Sequence, residues 1–354
     1  MNPAELARAD IRALKPYASA RALADSAGVL LNANENPWPP AGDTGLGLNR
    51  YPDPQPAALK SRLATVFGID PDQLLITRGS DEGIDLLVRV FCRAGADRVL
   101  ICPPCFGMYA LSARVQNAEV VEVPLVEQDG DWQLDTAAME GAPACRLYFL
   151  CSPNNPTGNL IDAQTVLSLA QRVADHGLVV IDEAYIEFCD RPSLAAQVSR
   201  QPNLVVLRTL SKAYALAGCR IGAVIADPAV IDLLRRIIAP YPLPTPSVAA
   251  ALAALEPAAL VHQHSQLDTL DDLKTTLLKQ LGEHPDMLTV WPGRANFVLV
   301  RVADAAALVR AAYAAGIRLR DQSAQPGLQG CVRITIGSEN EMQALAEFLG
   351  GWRT

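Results

Sequence analysis

Apolar runs closed by turn residues recur along the first two-thirds of the chain: "QLLITRG", "DRVLICPP", "AEVVEVPL", "RLYFLCSP", "LVVIDEAY", "NLVVLRTL" and "RIGAVIAD". Continuous rather than alternating hydrophobicity is the pattern of strands buried on both faces. Between the runs lie stretches with helical spacing, such as "DEGIDLLVRVFCRAG" and "DAQTVLSLAQRVADHG". The alternation predicts an α/β domain, a mostly parallel central sheet covered by helices. In such sheets chemistry gathers in the loops beyond the carboxyl ends of the strands. Ser80, Asp81, Asn155, Asp182, Ser211 and Lys212 occupy those ends.

The pattern changes at "APYPLPTPS", whose clustered prolines read as a hinge. A long helical stretch is expected from about 247 to 281, followed by strands in "MLTVWPGRANFVLVRV" and a helix in "DAAALVRAAYAAG". Further strands in "IRLRDQ" and "CVRITIG" and a last helix from about 340 to 349 complete a smaller α+β domain. The expected organisation is an N-terminal arm (1–28), a large domain (29–245) and a small C-terminal domain (246–354).

Composition narrows the partners. Of 354 residues only 19% are charged and the net charge is −8, which argues against nucleic acid or an anionic membrane as the main partner. The opening "MNPAELARADIRALKPY" lacks the apolar core of a secretory signal, and no run approaches the roughly 20 residues of a membrane helix. A cytoplasmic enzyme is expected. The eight cysteines are scattered through apolar sequence, where buried free thiols are expected. Cys102 and Cys105 in "CPPC" have the spacing of a redox or zinc half-site but no second pair. His262 and His264, two apart on a predicted helix, aim at different faces. No metal site is expected.

Candidate chemistry centres on one lysine. The chain has five lysines among its 30 basic residues, and Lys212, in "RTLSKAYALAGCRIG", is alone between positions 61 and 273. A surface lysine is the ordinary reading of such a residue. Lysine, unlike arginine, can lose its proton and act as an amine nucleophile. Asp182, at the end of a buried strand, is either a loop acid or a partner for a cation such as a protonated ring nitrogen. A P-loop ATPase reading of "LVVIDEAY" fails because the chain contains no Gly-Lys dipeptide. "CSPNNPTGN" is a turn by composition. In "TRGSDEGIDLL", Gly79, Ser80 and Asp81 lie between strand and helix, where free N–H groups favour a phosphate, although Ser and Asp also serve as plain caps. Pyridoxal phosphate requires all four features: an amine, a carboxylate opposite the pyridine nitrogen, a donor to the ring hydroxyl and a phosphate nest.

In this order and spacing, "SPNNPTG", "IDEAY" and "TLSKAYALAGCRIG" resemble the fold-type I pyridoxal-phosphate-dependent aminotransferases. "LNANENPWPP", "RYPDPQP", "SDEGIDLLVRVFC", "PCFGMYALSA" and "IRLRDQSAQPGLQGCVRITIG" are similar to the histidinol-phosphate aminotransferase branch of that family. The resemblance implies transamination of histidinol phosphate with 2-oxoglutarate in histidine biosynthesis. It makes Lys212 the Schiff-base lysine and proton-transfer base, and Asp182 the partner of the ring nitrogen. Tyr185 and Asn155 become donors to the ring oxygen, and Tyr109 the ring that stacks on the cofactor. Ser80, Asp81, Thr209, Ser211 and Arg220 become phosphate ligands. A homodimer is implied, with Tyr51 reaching the phosphate of the neighbouring subunit. For the substrate, Arg333 matches a carboxylate-binding arginine, and Arg320 and Tyr17 match positions that add phosphate recognition; Arg318, two residues from Arg320, could fill the same role. Threonine-phosphate decarboxylases and aromatic or aliphatic aminotransferases share these motifs and remain alternatives. A ligand-sensing transcription regulator needs an added DNA-binding domain, for which the stretch before Tyr17 is too short.

Overall fold

The computed structural model describes residues 2–17 and 29–353. All seven apolar runs of the first two-thirds form strands of one sheet: β1 (Leu74–Thr77), β2 (Arg98–Ile101) and β3 (Glu119–Glu122), then, beyond the hairpin β4 (Val126–Gln128) and β5 (Asp131–Gln133), β6 (Leu147–Cys151), β7 (Leu178–Asp182), β8 (Leu204–Thr209) and β9 (Gly222–Ile225). The sheet order is β1-β9-β8-β7-β6-β2-β3. β3, β2, β6, β7 and β8 run parallel, whereas β9 is antiparallel to both of its neighbours. Parallel strands require helical crossovers, and those helices cover both faces.

Alternation along each strand divides the core into two layers. Val180, Phe149, Val205, Leu207 and Val224 join Ile84, Leu87 and Phe91 of the helix Ser80–Phe91 on one face. Val179, Ile181, Leu204 and Val206 join Leu59, Leu63 and Phe67 of the helix Ala57–Phe67 on the other. Each such fully buried side chain contributes roughly 1.5–3 kcal/mol over its exposed state. The second layer also holds a buried ion cluster: Arg208 donates to Glu187 at 2.7 Å, approaches Glu183 at 3.8 Å and lies 4.5 Å over the Phe67 ring. Near the N-terminus, Leu6 and Ala7 pack into the first layer, and the Arg8 N–H donates to Val90 O at 3.0 Å.

The helical stretch expected from 247 to 281 is two helices, Thr245–Ala254 and Pro257–Glu283. Pro257 has no N–H to give a continuous helix and starts the second one instead. Arg62 takes up the freed Leu255 carbonyl at 2.7 Å. Beyond it lie β10 (Met287–Trp291), β11 (Phe297–Val302), β12 (Arg320–Asp321) and β13 (Cys331–Thr335), an antiparallel sheet in the order β10-β11-β13-β12. β13 buries Val332 and Ile334 against its own helices, which leaves Arg333 on the face toward the large sheet. The two bodies meet where Tyr185, after β7, packs edge-on to Phe297 of β11 at 5.4 Å.

Candidate active site

A cavity of about 690 Å³ opens beyond the carboxyl ends of the parallel strands, between them and the small sheet. Its walls include Ser80, Asp81, Asn155, Asp182, Tyr185, Thr209, Ser211, Lys212, Arg220, Arg320 and Arg333. They come from several strand ends and loops far apart in the sequence, which the order of the sheet brings together.

The floor is built from strand ends. Asp182 closes β7 at 2% exposure and accepts from the Tyr109 hydroxyl at 2.7 Å and from the Ala184 N–H at 3.1 Å. Burial outweighs those two donors and pushes its carboxyl up to about 6. Lys212 follows β8 with its side chain open to the cavity, 5.6 Å above the Tyr185 ring. Partial desolvation, then the nearby Arg333, lower its pKa. A lysine so placed holds its proton less tightly and is the better nucleophile and base.

One side of the cavity is a cradle for an anion. Gly79 caps the helix Ser80–Phe91 without a side-chain hydrogen bond, leaving the N–H groups of its first turn available. β9 presses against this loop so closely that a Cβ on Gly222 would lie 2.4 Å from Gly79 C and 2.5 Å from Ser80 N. Arg220, held in the left-handed region at φ 53°, turns its guanidinium back over the loop, donating to Asp81 at 3.1 Å and Ser211 at 3.4 Å. On the same edge the Ser211 N–H donates to the Thr209 hydroxyl at 3.1 Å.

The opposite side carries two arginines. Arg320 and Arg333 are directly paired across β12 and β13, so both side chains leave the same face of the small sheet. Arg333 donates to the Asn155 carboxamide oxygen, which turns the Asn155 amide N–H groups away from it. Its own Nε is buried without a hydrogen-bond partner among the described residues. Burial lowers its pKa, and Arg320 lowers it further.

Four residues considered in the sequence, Tyr109, Tyr17, Tyr51 and Arg318, are not at the cavity. Tyr109 does not lie where a cofactor ring could stack on it: it is fully buried beneath Asp182, parallel to Phe149 at 5.0 Å. The ring in the wall is Phe106, three residues earlier in the same motif. Tyr17 is 75% exposed, and Tyr51 stacks on Tyr241 at 4.4 Å, away from the walls. Arg318 does not share the cavity with Arg320; its guanidinium lies 3.8 Å over Tyr313. Met108, Leu111, Gln322 and Gln325 line the cavity without having been singled out in the sequence. Gln322 is two residues beyond Arg320, and that period-two spacing was the available signal. Cys102 and Cys105 are free and buried, and burial pushes the Cys105 thiol up to about 12, far from a reactive thiolate. Among the described residues no cluster of three or more His, Cys, Asp or Glu could hold a metal.

These donors fit pyridoxal phosphate on their own chemistry. The capless helix start with Arg220 suits a phosphate, the buried Asp182 suits a protonated ring nitrogen, and Lys212 supplies an amine between them.

Residues 28–349 match the protein family described as Aminotransferase class I and II. Histidinol-phosphate aminotransferase from Xylella fastidiosa (strain 9a5c) is 46% identical over 348 residues, 98% of this chain and 95% of that one. The crystal structure of histidinol-phosphate aminotransferase from Sinorhizobium meliloti in complex with pyridoxal-5'-phosphate superposes with a TM-score of 0.76 at 28% identity, over 85% of this chain and 83% of that chain. The fold alone is shared with L-threonine-O-3-phosphate decarboxylase from Porphyromonas gingivalis, at a TM-score of 0.72 and 24% identity over 86% of this chain and 90% of that chain.

Proposed function

From the chain's membership of the Aminotransferase class I and II family, we propose that it transfers the amino group of L-histidinol phosphate to 2-oxoglutarate, giving imidazole acetol phosphate and glutamate, a step of histidine biosynthesis. Its cofactor is pyridoxal phosphate, which when bound supplies a carbonyl that captures amines and a ring that withdraws electrons from the substrate's α-carbon.

In this reading the first-turn N–H groups of Ser80 and Asp81, the Thr209 and Ser211 hydroxyls and the Arg220 fork hold the cofactor phosphate. Asp182, kept ionised by the cation it faces, holds the ring nitrogen protonated, and Tyr109 orients Asp182 from below. Asn155 and Tyr185 donate to the ring oxygen. Lys212 would anchor the cofactor through its amine and, freed by the incoming substrate amine, would take the proton from the substrate α-carbon as a base and give it back as an acid on the cofactor side. Its lowered pKa suits it to that alternation between base and acid. The same residues run the second half-reaction in reverse with 2-oxoglutarate, a ping-pong cycle.

The observation that carries the substrate assignment is the Arg320–Arg333 pair in register on the small sheet. A planar guanidinium fork binds carboxylate and phosphate alike, and a doubly charged phosphate gains more from two forks than a carboxylate does. The resemblance to a histidinol-phosphate aminotransferase over nearly the whole chain supports the same substrate. Single-turnover half-reactions with histidinol phosphate, histidinol, phenylalanine and threonine phosphate test it. Histidinol phosphate should be strongly preferred, with no carbon dioxide released from threonine phosphate; equal rates with histidinol would sink the assignment.

The reading extends to a cytoplasmic homodimer in which the partner subunit's Tyr51 reaches the cofactor phosphate. Val29, Leu31 and Trp38 stand 87%, 89% and 75% exposed on the same segment as Tyr51, an apolar surface that a second copy would cover. Among the described residues no helix is long and apolar enough to cross a membrane.

A further inference from the structure

The two arginines account for the anionic end of the substrate but not for its ring. The cavity wall beyond Arg320 is formed by two carboxamides, Gln322 and Gln325. Gln322 continues the extended line of β12, its N–H bonded to Cys331 O at 2.9 Å, so its side chain leaves on the same face as Arg320. The chain then turns, with the Gln325 N–H donating to Gln322 O at 3.0 Å, and brings the second amide beside the first. Gln325 Nε2 donates to Gln322 Oε1 at 3.0 Å. This bond leaves Gln322 Nε2 and Gln325 Oε1, one donor and one acceptor, without a protein partner among the described residues.

We propose that the Gln322–Gln325 amide pair reads the ring of the substrate, donating to one imidazole nitrogen and accepting from the other. This rests on the histidinol-phosphate reading above. A neutral imidazole carries one acceptor nitrogen and one N–H, the complement of the two free amide groups. The same pair suits the second half-reaction, because amide N–H groups also donate to the side-chain carboxylate of glutamate, and no fixed charge repels either ligand. Phe106, Met108 and Leu111 in the same cavity offer apolar surface for the ring faces. Gln325 is a specificity residue here, with no part in proton transfer.

The test compares histidinol phosphate with phenylalaninol phosphate, whose ring has no nitrogen, so that phosphate binding, folding and the chemical step cancel in the ratio. The measurement is kcat/KM for both amines on the holoenzyme of wild type and Gln325→Leu, with glutamate formed from 2-oxoglutarate as the readout. The wild type should favour histidinol phosphate by about ten- to a hundredfold, because a site built to hydrogen-bond a ring rejects the ring that cannot. Gln325→Leu should collapse that ratio by about tenfold, while the ratio of histidinol phosphate to histidinol, read by the arginines, stays as in wild type. A preserved ring ratio in Gln325→Leu, or no ring preference in wild type, overturns the role of the amides and leaves the transaminase reading standing. A wild type inactive on histidinol phosphate sinks the substrate reading and this inference with it.

Discussion

Asp182 is a liability until a cation arrives. Its carboxyl is raised from an ordinary 3.8 to about 6 by burial, so the charged form is the disfavoured one. A raised carboxylate pKa contributes stability below the unfolded value and loses it as pH climbs through the folded value, here between about 4 and 6. The loss amounts to about 3 kcal/mol at neutral pH. Asp182→Asn should therefore make the cofactor-free protein more stable at pH 7 by up to that amount and flatten its melting temperature between pH 4 and 6. Activity should fall at least a hundredfold, since an amide cannot hold the ring nitrogen protonated, while cofactor affinity changes far less. Thermal melts across pH, paired with single-turnover rates, check both halves, and an unchanged pH profile would remove Asp182 as the strained group. The substrate arginines make a second test at this scale. Arg333→Ala should slow both half-reactions, whereas Arg320→Ala should slow that of histidinol phosphate more than that of glutamate. The difference should be roughly 1.5–3 kcal/mol, ten- to a hundredfold in kcat/KM, the worth of one charge-assisted hydrogen bond.

At the scale of elements, what the sequence discloses follows from which forces are local. The runs now forming β1, β2, β3, β6, β7, β8 and β9 were all legible because two-sided burial leaves continuous hydrophobicity. The reversal of β9 was not, since strand direction is set by the path of the 210–221 connection, whose left-handed residues, Ala215 and Arg220, are not types that announce such a conformation. The break at Pro257 had a local signal that the long periodic stretch masked. Tyr109 and Phe106 are three residues apart in a single motif, and only the packed structure decides which ring faces Phe149 and which the cavity. Arg318 and Arg320 have the same strand parity, but β12 begins only at Arg320, so the alternation does not reach back to Arg318. The β9 reversal has a testable consequence at Gly222, whose missing Cβ lets the strand back onto the phosphate loop. Gly222→Ala would drive a methyl into the backbone of Gly79 and Ser80, and neither neighbour can swing aside as a side chain would. We expect it to push the loop outward, weaken cofactor affinity at least tenfold and lower stability by about 1–3 kcal/mol, as overpacking does. Cofactor titration followed by absorbance, with a thermal melt of the same sample, measures both. A variant that binds cofactor normally would mean that the cradle tolerates displacement.

At the scale of the whole molecule, each chain presents nine of the proposed cofactor ligands to its own cavity and carries the tenth, Tyr51, elsewhere. Two copies related by a twofold axis exchange equivalent residues, so a residue absent from its own site can complete its partner's. In the proposed dimer, the exposed Val29, Leu31 and Trp38 on the segment that carries Tyr51 would lie in the shared surface. The proposal can be separated from a purely structural role by complementation. Lys212→Ala homodimers should be inactive, and Tyr51→Ala homodimers should bind cofactor weakly and turn over slowly. In a hybrid of the two, the subunit that keeps Lys212 receives the partner subunit's Tyr51 intact, while the other site lacks both groups. Random mixing makes half of the dimers hybrids, so about a quarter of all sites should regain wild-type kinetics. Co-expression of differently tagged chains, tandem purification of the hybrid and assay at limiting cofactor measure this directly, with half of the sites active in the purified hybrid. If Tyr51 acted within its own chain, every hybrid site would lack either Lys212 or Tyr51, and activity could not exceed that of the Tyr51→Ala enzyme.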